Sequence, residues 1–154
     1  MRITPENITN ISNNIRVLVG TNESGLHGGG IARYAEENWG LQYKVGFGPS
    51  GLCFGLPTKD WKIKTLPLNI INNYVERYIN WCQVTDYQHF VTKIGCGLAG
   101  YTIPEIAPMF KSCIEYENMW LPQDFLDFYK GIYISPKKQI ENEPDTAIQF
   151  FSNI

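Results

Sequence analysis

Ile15-Arg16-Val17-Leu18-Val19-Gly20 is a short β-branched run between polar residues, and through Thr21-Asn22-Glu23-Ser24-Gly25-Leu26-His27 it reaches Gly28-Gly29-Gly30. Ile31, Tyr34, Ala35 and Trp39 then recur at helical spacing, and Gly40 supplies a C-terminal stop. The order is a buried strand, a glycine loop and a helix. It returns further along. His89 to Ile94 reads as a second apolar strand running into Gly95-Cys96-Gly97-Leu98-Ala99-Gly100-Tyr101. After that loop, Thr102 and Glu105 have capping-box spacing with Pro104 in the first turn, and Ile106, Met109, Phe110 and Cys113 repeat at i, i+3, i+4 and i+7. Two strand-loop-helix units predict an α/β fold.

The rest of the chain fills in around these units. Tyr43–Phe47 and Leu52–Leu56 read as paired strands, with Gly48-Pro49-Ser50-Gly51 as the turn between them. Past Pro67 lies the strongest helical pattern. Ile70, Ile71, Tyr74, Val75, Tyr78, Ile79 and Cys82 share one face, with asparagines and charges opposite, so this helix is expected to pack on the sheet. Met119–Leu121 is a last strand and Pro122–Tyr129 a final helix. Residues 1–130 are read as the domain and 131–154 as an extension. Its Ile148, Phe150 and Phe151 are apolar enough to dock back on the domain or on a second subunit, which makes a homo-oligomer through this extension an expectation.

With 44% hydrophobic and 18% charged residues, 154 residues suffice for one core and exclude a mostly disordered chain. The formal net charge is −2, and Lys and Arg form no stripe, so duplex nucleic acid is not an expected partner. No stretch approaches the length of a membrane span and the start lacks an apolar targeting core, from which a soluble, cytoplasmic protein is expected. Cys53, Cys82, Cys96 and Cys113 fit no zinc spacing and read as buried free thiols; no metal and no cofactor are expected.

A strand-loop-helix turn gathers backbone N–H groups and the positive end of a helix dipole at the carboxyl edge of a sheet, where anions bind. Glycines also serve tight turns and close packing, so one such loop decides little. Two in one small domain are better explained by a diphosphate. Neither loop carries the dinucleotide fingerprint or the Lys-Ser/Thr ending of a nucleotide triphosphatase, so hydride transfer and triphosphate hydrolysis are not expected.

In this order and spacing the chain resembles the macro domains, which bind ADP-ribose and in some branches remove it from proteins or nucleic acids. Asn7-Ile8-Thr9 stands where the family has Asp-Ile-Thr. Asn22 ends the first strand, and Gly28-Gly29-Gly30-Ile31-Ala32 follows after five residues. Ile94-Gly95-Cys96-Gly97-Leu98-Ala99-Gly100-Tyr101 is similar to the second phosphate loop, in wording closest to the lysine-dependent deADP-ribosylases. In that branch a Thr-Lys motif precedes a long helix, as Leu56-Pro57-Thr58-Lys59-Asp60-Trp61 does here. The resemblance implies a single three-layer fold, a mixed sheet with helices on both faces. It implies that Asn7 meets adenine, Asn22 the distal ribose, and Lys59 the anomeric carbon. Gly28, Gly29, Gly30 and Ile31, together with Gly97, Leu98, Ala99, Gly100 and Tyr101, would hold the diphosphate, and Ile8, Gly95 and Cys96 would also line the ligand site. His27 would face the distal ribose as a ligand contact or an acid, though a plain loop histidine is the simpler reading. His89 is taken as structural, and Glu23 and Asp60 are the carboxylates nearest the site in sequence.

In the lysine branch the amine attacks the anomeric carbon and a loop Asp helps release the adduct; here Ala99 occupies that position. The other route needs an Asp after the glycine stretch, where this chain has Ala32. The expectation is therefore a binder of ADP-ribose or a related NAD-derived nucleotide. Similar small proteins occur in phages and prophages, so the resemblance also implies sequestration of a defence signal. The alternatives are a lysine-dependent ADP-ribosyl glycohydrolase with Lys59 as its catalytic residue, and a structural protein without a ligand.

Overall fold

The computed structural model describes residues 2–136. The expectations about Ile148, Phe150, Phe151 and assembly through the extension fall on 137–154 and lie outside the described residues. In chain order the elements are β1 (Ile15–Asn22), α1 (Gly30–Asn38), β2 (Gly48–Ser50), β3 (Cys53–Lys59), α2 (Leu68–Gln83), β4 (Gln88–Phe90), α3 (Ile103–Ile106), a 3-10 helix (Ala107–Glu115), β5 (Met119–Trp120) and α4 (Gln123–Tyr129).

The sheet is five-stranded and mixed, ordered β2-β3-β1-β4-β5. β3, β1, β4 and β5 run parallel, and β2 pairs antiparallel with β3 at one edge. Adjacent residues of a strand point to opposite faces, and this separates two cores. Leu18, Phe54 and Leu56 face α2, α3, the 3-10 helix and α4 through Ile71, Val75, Tyr78, Ile106, Phe110 and Phe125. Val17, Val19 and Cys53 face the other way, onto Ala32, Ala35 and Trp39. Helices therefore cover both faces. The helical stripe read from the sequence is the buried one: Ile71, Val75, Tyr78, Ile79 and Cys82 are buried, each contributing about 1.5–3 kcal/mol of transfer free energy for a side chain of this size. No helix among the described residues is long and apolar enough to cross a membrane.

Three elements differ from expectation, each for a local reason. The hairpin exists, but its first strand is Gly48–Ser50 rather than Tyr43–Phe47. Ser50 pairs with Cys53, so the turn is Gly51-Leu52, with Gly51 at φ 60°. Tyr43–Phe47 is held off the sheet as a loop, with Lys44 at φ 66° and its N–H donating to Gly25 O at 2.8 Å. β4 stops at Phe90, short of Ile94. Beyond it Thr92 Oγ1 donates to Leu18 O at 2.7 Å, and Ile94 N–H turns back to Thr92 O at 2.7 Å, which ends the ladder. The helix after the second glycine loop begins at the predicted capping box but passes into 3-10 geometry at Ala107. Pro108 has no N–H, and its ring opposes the carbonyl one turn earlier.

Candidate functional site

Because β3, β1 and β4 run parallel, their carboxyl ends meet at one edge, and the chain leaves all three there. Asn22 at the end of β1 is in register with Lys59 at the end of β3. Glu23 N–H donates to Lys59 O at 2.9 Å, so the pairing continues past the strands. α1 starts at Gly30 beside this edge; its N-cap is Gly29, which brings no side chain to the first turn. The second glycine loop comes up against the first. A Cβ on Gly30 would sit 3.7 Å from Leu98 Cδ1, and Leu98 itself is 78% exposed. Thr65 Oγ1 donates to Ala99 O at 3.1 Å, and Tyr101 OH donates to Leu66 O at 2.5 Å, which pins this loop to the segment leaving β3.

The glycines divide into two kinds. Gly25 is at φ 71°, and a Cβ there would lie 2.3 Å from a Lys44 backbone atom; a Cβ on Gly46 would meet Asn22 O at 2.3 Å. These are fixed by packing. Gly28, Gly29 and Gly97 have φ outside the left-handed region, and a Cβ on any of them would meet nothing within 4 Å. Neither crowding nor backbone conformation within the chain calls for glycine there. The N–H groups of Gly28, Gly29, Gly97, Leu98 and Ala99 donate to no other described residue. Gly95 and Gly100 sit at φ 76° and 87° and shape the turn that carries Gly97 and Leu98 outward.

The polar side chains of the edge are mostly committed to the loops themselves. Asn22 is buried; its Nδ2 donates to Leu26 O at 2.7 Å, and its Oδ1 accepts from Leu26 N–H at 3.0 Å and Ser24 OH at 2.8 Å. Its carboxamide braces the loop, with one N–H left over. His27 is buried, and Nε2–H donates to Gln42 O at 2.9 Å. A carbonyl only accepts, so the neutral ring carries its proton on Nε2. Nδ1 is left as a buried acceptor without a partner among the described residues. Glu23 accepts from Tyr74 OH at 2.5 Å, and Asp60 accepts from the N–H groups of Lys62 and Lys64 at 2.8 and 3.0 Å. Burial and the Glu23 carboxylate push the Tyr74 hydroxyl up to about 12. Lys59 is half-buried and forms no ion pair among the described residues. Cys96 is half-buried with its thiol directed at Ile94 O, 3.6 Å away, and burial raises it to about 12, so no thiolate nucleophile forms near neutral pH.

At the amino-terminal end of the chain, Thr4 Oγ1 donates to Val91 O at 2.7 Å just past β4, and Ile3 bridges Leu121 just past β5. Asn7 follows in the open and Ile8 packs on the α1-side core. Thr4 thus reaches the end of β4 three residues before Asn7, and Lys59 ends β3 on the other side of β1. Ile31 stands 40% exposed in the first turn of α1. A separate shallow concavity of about 430 Å³, lined by Gln83, Asp86, Gln88, Glu115 and Glu117, lies at the opposite, amino edge of the sheet. No group of three or more potential metal ligands occurs among the described residues.

The segment Asp60–Lys64 drew attention in the sequence only for its carboxylate. It projects past β3 as a closed loop with Trp61 65% exposed. An aromatic among charges, outside any strand or helix period, was the available signal. Compared with known protein families, curated proteins and solved structures, the chain returns no match.

Proposed function

We propose that this protein binds ADP-ribose or a related NAD-derived nucleotide in a macro-domain-like manner, the diphosphate lying between the two glycine loops. The observation that carries this reading is the trio Gly28, Gly29 and Gly97, whose missing side chains the packing of the described residues does not require. A diphosphate drawn against N–H groups without internal partners supplies the reason, since a Cβ would stand where phosphate oxygens approach. The resemblance in order and spacing to macro domains gives the nucleotide its identity. Asn7 and Ile8 take the adenine, and Lys59 stands at the distal ribose. Asn22 acts there chiefly by shaping the loop, and His27 Nδ1 accepts a hydrogen bond rather than giving one.

Retention of the ligand without turnover follows from the two missing acids. Ala32 is buried on the sheet-facing side of α1 and Ala99 bears no carboxylate, while Glu23 and Asp60 are engaged elsewhere. Such a protein suits capture of a signalling nucleotide, in the manner of a phage protein that blunts a defence response. A second reading rests on Lys59, a side chain without an ion pair beside Asn22: a lysine-dependent removal of ADP-ribose from protein or nucleic acid.

Calorimetric titration with ADP-ribose, NAD and cyclic relatives, with chromatography of the recovered ligand, separates these readings. Capture gives stoichiometric binding of a ligand recovered intact, lost on Gly29→Ala or Gly97→Ala while the melting temperature holds. The enzyme gives multiple turnover of an ADP-ribosylated substrate, abolished by Lys59→Ala. Absence of heat with every one of these nucleotides would leave the glycine loops structural and refute the proposal.

A further inference from the structure

Trp61 is the exception among the four tryptophans. Trp39 is buried, Trp81 stacks on Phe54 and His89, and Trp120 packs on Phe90, whereas Trp61 is 65% exposed. A ring that large usually gains by burial. Its loop is also built at a cost. Ile63 has φ 65°, a left-handed conformation that is a true outlier for a β-branched side chain.

Several bonds hold the loop in that form. Lys59 bridges Thr65 at its base, Asp60 N–H donates to Lys64 O at 2.7 Å, and Ile63 N–H donates to Asp60 O at 3.0 Å. The Asp60 carboxylate accepts from Lys62 and Lys64 N–H inside it. Thr65 Oγ1 on Ala99 O ties the base of the loop to the second glycine loop. Lys62 Nζ lies 4.8 Å from the Trp61 ring centroid, a cation–π contact with the indole. Strain maintained this way marks a segment whose shape matters more than its stability.

We infer that Trp61 is a stacking platform for a planar aromatic ring joined to the distal ribose of the bound nucleotide, so the preferred ligand carries rings at both ends. This rests on the diphosphate reading above. The adenine end is assigned to Asn7 and Ile8, which follow Thr4, the residue bonded to Val91 past the end of β4. Trp61 lies beyond Lys59, on the β3 side, where the far ribose would end. A flat indole offers such a ring a face without demanding a particular hydrogen-bond pattern. Nicotinamide and a nucleobase share this chemistry.

The test is calorimetry of the full chain and of Trp61→Ala and Trp61→Phe with NAD, ADP-ribose and an ADP-ribosylated thymidine oligonucleotide. The wild type is expected to bind one or both ring-bearing ligands about five- to a hundredfold more tightly than ADP-ribose. Trp61→Ala is expected to erase that preference and leave ADP-ribose affinity within about twofold, and Trp61→Phe to keep most of it. NAD preferred over the oligonucleotide names nicotinamide as the ring; the reverse names a nucleobase. Binding of ADP-ribose with no such preference, or a preference that survives Trp61→Ala, overturns the platform and leaves the diphosphate site standing. A wild type that binds none of the three overturns both. Trp61 is exposed and the loop's hydrogen bonds do not use its ring, so the variants are expected to fold, with melting temperature as the control.

Discussion

The two glycine loops differ in how tightly their glycines are packed. After β1 the chain is wedged against segment 42–46: Gly25 and Gly46 let backbone touch backbone and His27 is clamped to Gln42, while Asn22 spends its carboxamide on residues 24 and 26. After β4 the loop closes on itself through Gly100 N–H to Gly97 O and Tyr101 N–H to Gly95 O, is tied down by Thr65 and Leu66, and only Gly95 is crowded, with Ile106 Cδ1 at 3.1 Å from a built Cβ. The contrast teaches how to read a glycine. One whose Cβ would strike the chain is explained by folding, and one whose Cβ would meet nothing, at an ordinary φ, is not.

That distinction can be broken most forcefully at Gly25. Gly25→Ala adds a methyl group 2.3 Å from backbone at a left-handed φ, and the expected loss is about 3–5 kcal/mol of unfolding free energy in a urea titration. A loss under about 1 kcal/mol would mean the first loop yields, and the contrast with the second would collapse.

Acid should weaken the strand that feeds the second loop. His89 in β4 is buried among Tyr78, Trp81 and Tyr87, and its Nε2 bonds Thr85 Oγ1 at 2.7 Å. Burial first, and then the Arg16 guanidinium, lower its pKa from 6.5 to about 4. As pH falls below 6.5 the unfolded chain takes up a proton that the folded one refuses until about 4. Stability is thus fully present above pH 6.5 and declines toward 4, by roughly 3 kcal/mol from this group. A stability curve flat across that window in His89→Phe, and sloping in the wild type, is the expected pair of results.

Asn22→Ala tests the inner brace. It removes three hydrogen bonds in a buried setting and leaves Leu26 N–H and C=O without partners, at an expected cost of about 2 kcal/mol. Hydrogen exchange should quicken at Leu26 and leave Gly97 and Leu98 unchanged; equal quickening in both loops would show them to be one unit. The smallest effect belongs to the open glycines. Gly29→Ala and Gly97→Ala should stay within about 0.5 kcal/mol of wild type on denaturation, and a large loss at either would return that glycine to the packing class.

Much of this arrangement is legible in the residues because periodicity and capping are local. The stripe of α2, the run of β1 and the Thr102/Glu105 box are visible without knowing what they touch. The hairpin strand was misplaced because Tyr43–Phe47 has strand-like composition, while the force that excludes it is non-local: Lys44 and Gly46 are committed to the β1 loop. The end of β4 depended on a threonine reaching Leu18, and the 3-10 turn on one proline's effect overriding an apolar repeat. At the candidate site, spacing predicted which loops would be neighbours. It did not tell that Asn22 turns inward or that Trp61 stands out, because both depend on where a side chain points after the backbone has closed.

Pro49 closes one margin of the sheet. β2 is three residues long and ends the sheet, and its central residue has no N–H to offer an incoming strand. At the other end, Thr4 N–H donates to Leu121 O and Leu121 N–H to Arg2 O, which occupies the backbone groups of the residue just past β5. Among the described residues neither margin offers an open row of backbone groups to another chain, so β-type fibril growth from this sheet is expected to be slow in concentrated solution. Copies that come together would do so through side chains and not by extending the sheet.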